Sequence, residues 1–302
     1  MNDSKILITG KTGTVGSNLK DGIGFSSSEF DLRDFSETEK LIRKTQPASI
    51  IHCAARVGGL GEHLRYKKEL FYDNMLINMN VLEAARKSNV QRVLSFLSSC
   101  IYSDLASQPY NELNIHDNEP FEAHYPYGYS KRMLEVQSRI YYEQYGLKYN
   151  CVIPTNIYGL YDDFNIETGH VIGVLIHKCF LAVKNNTDFK VWGDGSQERE
   201  FLYSEDVAKL AYWALENYYD KEPVVFSNDQ TVKIKEIAEI IADTFKLKGN
   251  IIFETDKPSG QKSRKLSGNK LKKLNNFEFT PIDVGIQKTI NWFVENYKGA
   301  RK

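Results

Sequence analysis

The 302-residue chain predicts an α/β fold, a doubly wound parallel sheet with a smaller C-terminal α/β part. Three observations carry this. Short apolar runs alternate with helix-compatible stretches through the first half, the order that builds a parallel sheet covered on both faces. Gly10, Gly13 and Gly16 follow the first apolar run at once. That spacing lets a tight turn approach a pyrophosphate and aim helix N-terminal amides at it, a Rossmann-type nucleotide loop. Beyond about residue 165 the alternation loosens. The length fits about two domains: residues 1–165 bind the nucleotide, with 201–229 returning to them, and 166–200 and 230–302 face a substrate.

In order, Lys5–Thr9 is a strand, and Lys11, Thr12, Thr14 and Val15 fill the glycine loop before a helix over Val15–Lys20. At the second strand's end, Phe25–Ser28 stands where an NAD-selective fold carries a carboxylate for the ribose hydroxyls. With no acid before Glu29, and with Lys11 and Ser27 as phosphate partners, the site favours NADP(H). Lys11 also fits a solvated loop. Asp31 and Leu32 fall near the adenine edge. Ser36 opens a helix to Thr45, with Glu39 completing a capping box. Ser49–Cys53 is a buried strand ending in Ala54 and Ala55, small enough for a cofactor's approach; the loop Val57–Gly61 follows. A helix over Leu70–Lys87 presents Met75, Met79, Leu82 and Ala85 on one side, and Arg92–Leu97 returns as a strand. Later elements are a helix from Pro126 to Tyr145, a strand over Tyr149–Ile153, helices over Val174–Lys184 and Ser204–Tyr218, a strand at Val224–Phe226 returning to the main sheet, and helices over Lys233–Phe245 and Thr280–Tyr297. The last has Thr280 as cap and Pro281 in its first turn.

Composition narrows the function. Lys+Arg and Asp+Glu balance at 39 each, so no global charge points to nucleic acid or an anionic membrane, and any anion needs a local site. No apolar run approaches the ~20 residues of a membrane span, and the N-terminus has no leader pattern; a cytoplasmic protein is expected. Cys53, Cys100, Cys151 and Cys179 are widely spaced, which suggests neither a disulfide frame nor a metal site.

The chemistry centres on Tyr127 and Lys131, four residues apart on one helix face. A nearby ammonium favours the phenolate and brings the tyrosine toward neutral acid/base work. Such a pair alone is common. Ser98 and Ser99, at a strand's carboxyl end, can hold a carbonyl against it.

With the glycine loop, Ser98-Ser99-Cys100-Ile101-Tyr102 and Tyr127-x-x-x-Lys131, the chain resembles the extended short-chain dehydrogenase/reductase family. Val57-Gly58-Gly59-Leu60, Pro154-Thr155-Asn156-Ile157-Tyr158-Gly159, Asp163-Phe164-Asn165, Gly169-His170-Val171-Ile172 and Trp192-Gly193-Asp194-Gly195 with Arg199-Glu200-Phe201 extend the resemblance to its GDP-4-keto-sugar epimerase/reductases over nearly the whole chain. The resemblance implies an NADPH-dependent C4-ketone reduction. Ser98 and Tyr127 grip the oxygen, Tyr127 protonates it, and Lys131 holds the nicotinamide ribose. Cys100 and His170 then form the acid/base couple that inverts C3 and C5 of a GDP-4-keto-6-deoxymannose-type sugar, giving GDP-L-fucose or a close analogue. A C4-reductase of another GDP-4-keto hexose or heptose, without epimerisation, is the alternative. Leu97, Pro154, Asn156, Ile157 and His170 would line the cofactor. Val57, Gly58, Ser99, Asn156, Lys178, Trp192, Arg199 and Ser259 would meet the substrate. Ser259 stands where relatives often carry Asp, and Thr12 where some place Arg on the cofactor phosphate. A homodimer through the helices at 70–87 and 127–145 is implied as well.

Overall fold

The computed structural model describes residues 5–257 and 260–302. Its elements, in chain order, begin with β1 (Ile6–Thr9), α1 (Thr14–Asn18), β2 (Ile23–Gly24), α2 (Phe35–Thr45), β3 (Ser49–His52), α3 (Leu60–Arg65) and α4 (Lys67–Lys87). They continue with β4 (Arg92–Phe96), α5 (Tyr125–Tyr145), β5 (Lys148–Pro154), β6 (Asn156–Tyr158), α6 (Val171–Asn185), β7 (Phe189–Trp192) and β8 (Glu198–Tyr203). The remainder are α7 (Ser204–Asn217), β9 (Val224–Phe226), β10 (Thr231–Lys233), α8 (Ile234–Phe245), β11 (Ile251–Glu254), β12 (Ser263–Arg264), α9 (Asn269–Leu274) and α10 (Ile282–Glu295). The main sheet runs β2-β1-β3-β4-β5-β9, parallel throughout. The expected parallel sheet is therefore present, and β9 returns to its edge.

The strands are apolar on both faces because both are covered. Leu7, Ile50, Val93 and Ile153 enter one core with α2, α4 and α5, while their neighbours Ile8, Ile51, Leu94 and Val152 enter a second under α7. Each such fully buried aliphatic contributes about 1.5–3 kcal/mol. The smaller part has a third core, where Phe164, Ile176, Phe189, Ile237 and Phe293 join α6, α8 and α10. Crossovers in the main sheet put the strands' carboxyl ends on one side, and the order reverses between β1 and β3. A ligand crevice is expected at that switch point.

Three local expectations are corrected. The cap of α2 is Asp34, whose side chain accepts from the Glu37 amide at 3.0 Å; Ser36 already lies inside the helix. Thr280 does not cap α10, which begins after Pro281 without a side-chain cap, and the Thr280 amide instead donates to Asp206. On α4 the buried stripe holds Asn74 and Asn78 in place of Met75 and Met79, and Met79 is exposed. The reason is hydrogen bonding: Asn74 accepts from the Arg56 amide at 2.9 Å and donates to its carbonyl at 2.8 Å. Asn78 meets the buried His52 ring at 3.1 Å. Satisfied amides can be buried where a methionine pattern would suggest apolar packing.

Candidate active site

At the carboxyl ends of the main strands a cleft of about 940 Å³ runs from the glycine loop to the smaller part. The loop is wound tightly because its glycines leave no room for a side chain. A Cβ on Gly16 would sit 2.1 Å from the Gly10 carbonyl oxygen, and one on Gly10, whose φ is +71°, would press on the Ala54 amide at 2.7 Å. Gly13 caps α1 with no side-chain acceptor, so first-turn amides stay available to a diphosphate. Thr12, Thr14, Val15, Ser27, Asp31, Leu32, Ala54, Ala55, Leu97, Pro154, Asn156 and Ile157 line the same cleft. These residues fit a dinucleotide.

Lys11 is the exception. Its ammonium donates to the Leu19 carbonyl and its side chain packs over Gly24, so it stands apart from the residues lining the cleft. A cation that does line the cleft is Arg33, which the sequence did not single out. It grips Asp31 through two nitrogens at 2.9 and 2.7 Å, holding that carboxyl below its ordinary range. The Asp31 carboxylate stays partly exposed beside this pair and keeps acceptor capacity.

Ser98 ends the strand region and caps a short 3₁₀ turn, Ser99–Ile101, accepting from the Cys100 amide at 3.2 Å. That bond uses an oxygen lone pair and leaves the hydroxyl proton free to donate. Tyr127 sits in the first turn of α5, started by Pro126. Gly128 lets the helix close on the Ser98 turn, since a Cβ there would lie 2.6 Å from the Cys100 carbonyl oxygen. Lys131 is fully buried and donates to the Phe96 carbonyl at 2.7 Å. Its Nζ stands 5.7 Å from the Tyr127 ring centre.

The electrostatics differ from the sequence expectation. Burial pushes the Tyr127 phenol well above its ordinary value, with Cys100 adding to it. Burial also draws Lys131 down to about 8. Desolvation disfavours the phenolate, which favours the protonated, acid form of Tyr127.

Cys100 faces Arg264, whose guanidinium lies 3.7 Å from Sγ and 3.2 Å from the Ser99 hydroxyl. His170 caps α6 and sits with Nδ1 4.0 Å from the buried Asp162 carboxylate. Thr14 donates to the same Asp162 oxygen at 3.1 Å, which ties the glycine loop to the histidine. Burial raises Asp162, and His170 partly offsets the rise.

At the far end Arg199 and Arg264 are both largely buried, and neither pairs with a carboxylate among the described residues. Arg199 donates only to the Glu198 and Gln261 carbonyls, at 2.8 and 2.6 Å. Burial, reinforced by repulsion from Arg264, draws it down to about 10. Two uncompensated buried cations demand an anion. Lys178 lies 4.9 Å over the exposed Trp192 ring, and Val57, Gly58 and Ser99 complete this end. Ser259 lies outside the described residues. Arg264, on β12, His63, on α3, and His124, just before α5, also line the cleft but were missed in the sequence, because no motif marks them.

The NAD dependent epimerase/dehydratase family matches residues 6–227. The chain is 40% identical to the GDP-L-fucose synthase of Dictyostelium discoideum, over 98% of this chain and 97% of that one. With the GDP-L-fucose synthase of Escherichia coli K12 it is 29% identical, over 98% of each. The crystal structure of a GDP-L-fucose synthetase from Naegleria fowleri bound to NADP superposes with a TM-score of 0.94 at 36% identity, covering 100% of this chain and 96% of the other.

Proposed function

Because the chain belongs to the NAD dependent epimerase/dehydratase family, we propose that it is an NADPH-dependent epimerase/reductase. It inverts C3 and C5 of a GDP-4-keto-6-deoxymannose-type sugar and then reduces the C4 ketone, releasing GDP-L-fucose or a close analogue. The observation that carries this reading is one cleft holding Ser98, Tyr127 and Lys131 together with a glycine-loop groove and two guanidiniums that have no carboxylate partner among the described residues. The full-length likeness to GDP-L-fucose synthases supports the choice of sugar.

NADPH bound along the glycine loop supplies the hydride. The Ser98 hydroxyl donates to the ketone oxygen, and Tyr127, kept protonated by burial, hands its proton to the alkoxide as the hydride arrives. The Lys131 ammonium lies within the same pocket and would hold the ribose hydroxyls of a bound cofactor. Before reduction, Cys100 and His170 remove and return the protons beside the ketone, with Asp162 holding the imidazole. Arg199, Arg264 and Lys178 take the diphosphate, and Trp192 stacks on the guanine.

The domain assignment made from the sequence, 1–165 with 201–229 for the cofactor and the rest for the sugar, is supported by the pairing of β5 with β9. A homodimer through α4 and α5 is supported by Phe71, Tyr72, Met79, Tyr125, Met133 and Ile140, which leave large apolar groups exposed on that helix pair. A cytoplasmic location fits four free cysteines. Among the described residues no helix is long and apolar enough to cross a membrane.

The test is incubation with NADPH and GDP-4-keto-6-deoxymannose in D₂O, followed by NMR of the product. Deuterium at C3 and C5 with one NADPH oxidised per product is the expected outcome. NADPH oxidation without label would refute the epimerase half and leave a C4-reductase. No oxidation would refute the whole reading.

A further inference from the structure

Three segments far apart in sequence bring His63 on α3, Cys100 on the 3₁₀ turn and His124 just before α5 to one point of the cleft wall. One ligand-capable atom from each lies within 4.8 Å of the others. The two imidazoles pack edge to face at 4.6 Å, and the His63 ring stands 5.5 Å from the Tyr127 ring. Each carries a buried Nδ1 with no hydrogen-bond partner. An unmet buried polar atom is costly, and here two occur on adjacent rings.

We propose that His63, Cys100 and His124 form a binding site for a soft divalent cation of the Zn²⁺ type, with three protein ligands and a fourth position open to the cleft. Two imidazoles and a thiolate are a zinc-type donor set, and three protein ligands are the number found in open zinc sites. Bond lengths of ~2.0–2.1 Å to nitrogen and ~2.3 Å to sulfur put tetrahedral donors about 3.3–3.6 Å apart. The longest separation has to shrink by about an ångström, which side-chain rotation accomplishes. On binding, the sulfur releases its proton to solvent and bonds the cation, and each imidazole donates a ring-nitrogen lone pair. No electron is transferred.

Arg264 opposes the cation. Its guanidinium lies 3.7 Å from the sulfur, so the site is weaker than a structural zinc site and strengthens when that charge is removed. Binding itself does not depend on the proposed catalysis. One consequence does: if Cys100 is the epimerisation base, an occupied site blocks epimerisation.

The experiment titrates Co²⁺ into the full-length cofactor-free protein and follows the thiolate-to-cobalt charge-transfer band, with Zn²⁺ added as competitor. One saturable site per chain, displaced by Zn²⁺, is the expected result. Cys100→Ser should abolish the band, while Cys53→Ser should leave it intact. His63→Asn and His124→Asn should each weaken binding at least ~10-fold, and Arg264→Met should tighten it. Far-UV circular dichroism checks that each variant is folded. Absence of the band in the native protein would overturn the proposal, as would unchanged affinity in both histidine variants.

Discussion

Lys131 gives a prediction in which stability and activity move in opposite directions. Its ammonium is fully buried, and its only described polar contact is the Phe96 carbonyl. The fall from 10.5 to about 8 corresponds to about 3 kcal/mol against the charged form, at ~1.4 kcal/mol per unit. Lys131→Met keeps most of the volume and removes that penalty, while losing a hydrogen bond of about 1 kcal/mol. The cofactor-free variant should therefore be more stable than the native protein by about 2 kcal/mol at pH 7. The sign with pH follows from the lowered value. Below pH 8 folded and unfolded chains both hold the proton, and the penalty is complete. Above it the folded chain sheds the proton first, so native stability rises and the gap closes toward pH 10.5. By pH ~9.5 roughly half the penalty should remain. Urea denaturation at pH 7 and ~9.5, with circular dichroism and no cofactor, measures both values. A variant less stable than the native chain at pH 7, or a gap that does not narrow with pH, would refute the reasoning. Turnover in the same variant should be lost, since the ammonium no longer meets the cofactor ribose.

Other perturbations test separate parts of the site. Tyr127→Phe should lower reduction by ~10²-fold or more while NADPH titration finds nearly native affinity; a fully active variant contradicts the assigned role. Gly128→Ala gains helix propensity but drives a methyl against the Cys100 carbonyl 2.6 Å away. It should lose roughly 1–3 kcal/mol in a urea melt and most of its turnover. Arg199→Met should raise KM for the GDP-sugar by about 10–100-fold with a smaller change in kcat, the pattern of a lost ground-state contact. Cys100→Ser in D₂O should suppress label at C3 and C5 more than it slows NADPH oxidation, and equal losses would argue against its role as base.

The parallel sheet and the glycine loop were legible because their signals are local. A strand buried on both faces must be apolar throughout, and three glycines at fixed spacing have one common geometric use. Ser98, Cys100, Tyr127, Lys131 and His170 were found through short motifs, and all line one cleft. What escaped has a different physical basis. Arg264 becomes a cleft residue only because Ser263 and Arg264 pair with Glu198 and Arg199, a long-range contact with no trace in local pattern. The Tyr127 environment was misjudged because sequence shows the nearby lysine but not the desolvation that disfavours the phenolate. Lys11 stands apart from the cleft lining because a flexible side chain can turn to the nearest carbonyl, and the backbone spacing does not decide which way it turns.

The two guanidiniums at the sugar end have a practical consequence for anyone assaying the protein. Arg199 and Arg264 repel each other, so small inorganic oxyanions are natural ligands for the pair. Phosphate or sulfate in the buffer should compete with the nucleotide sugar, and apparent affinities measured in such buffers will understate those in an amine buffer of equal ionic strength.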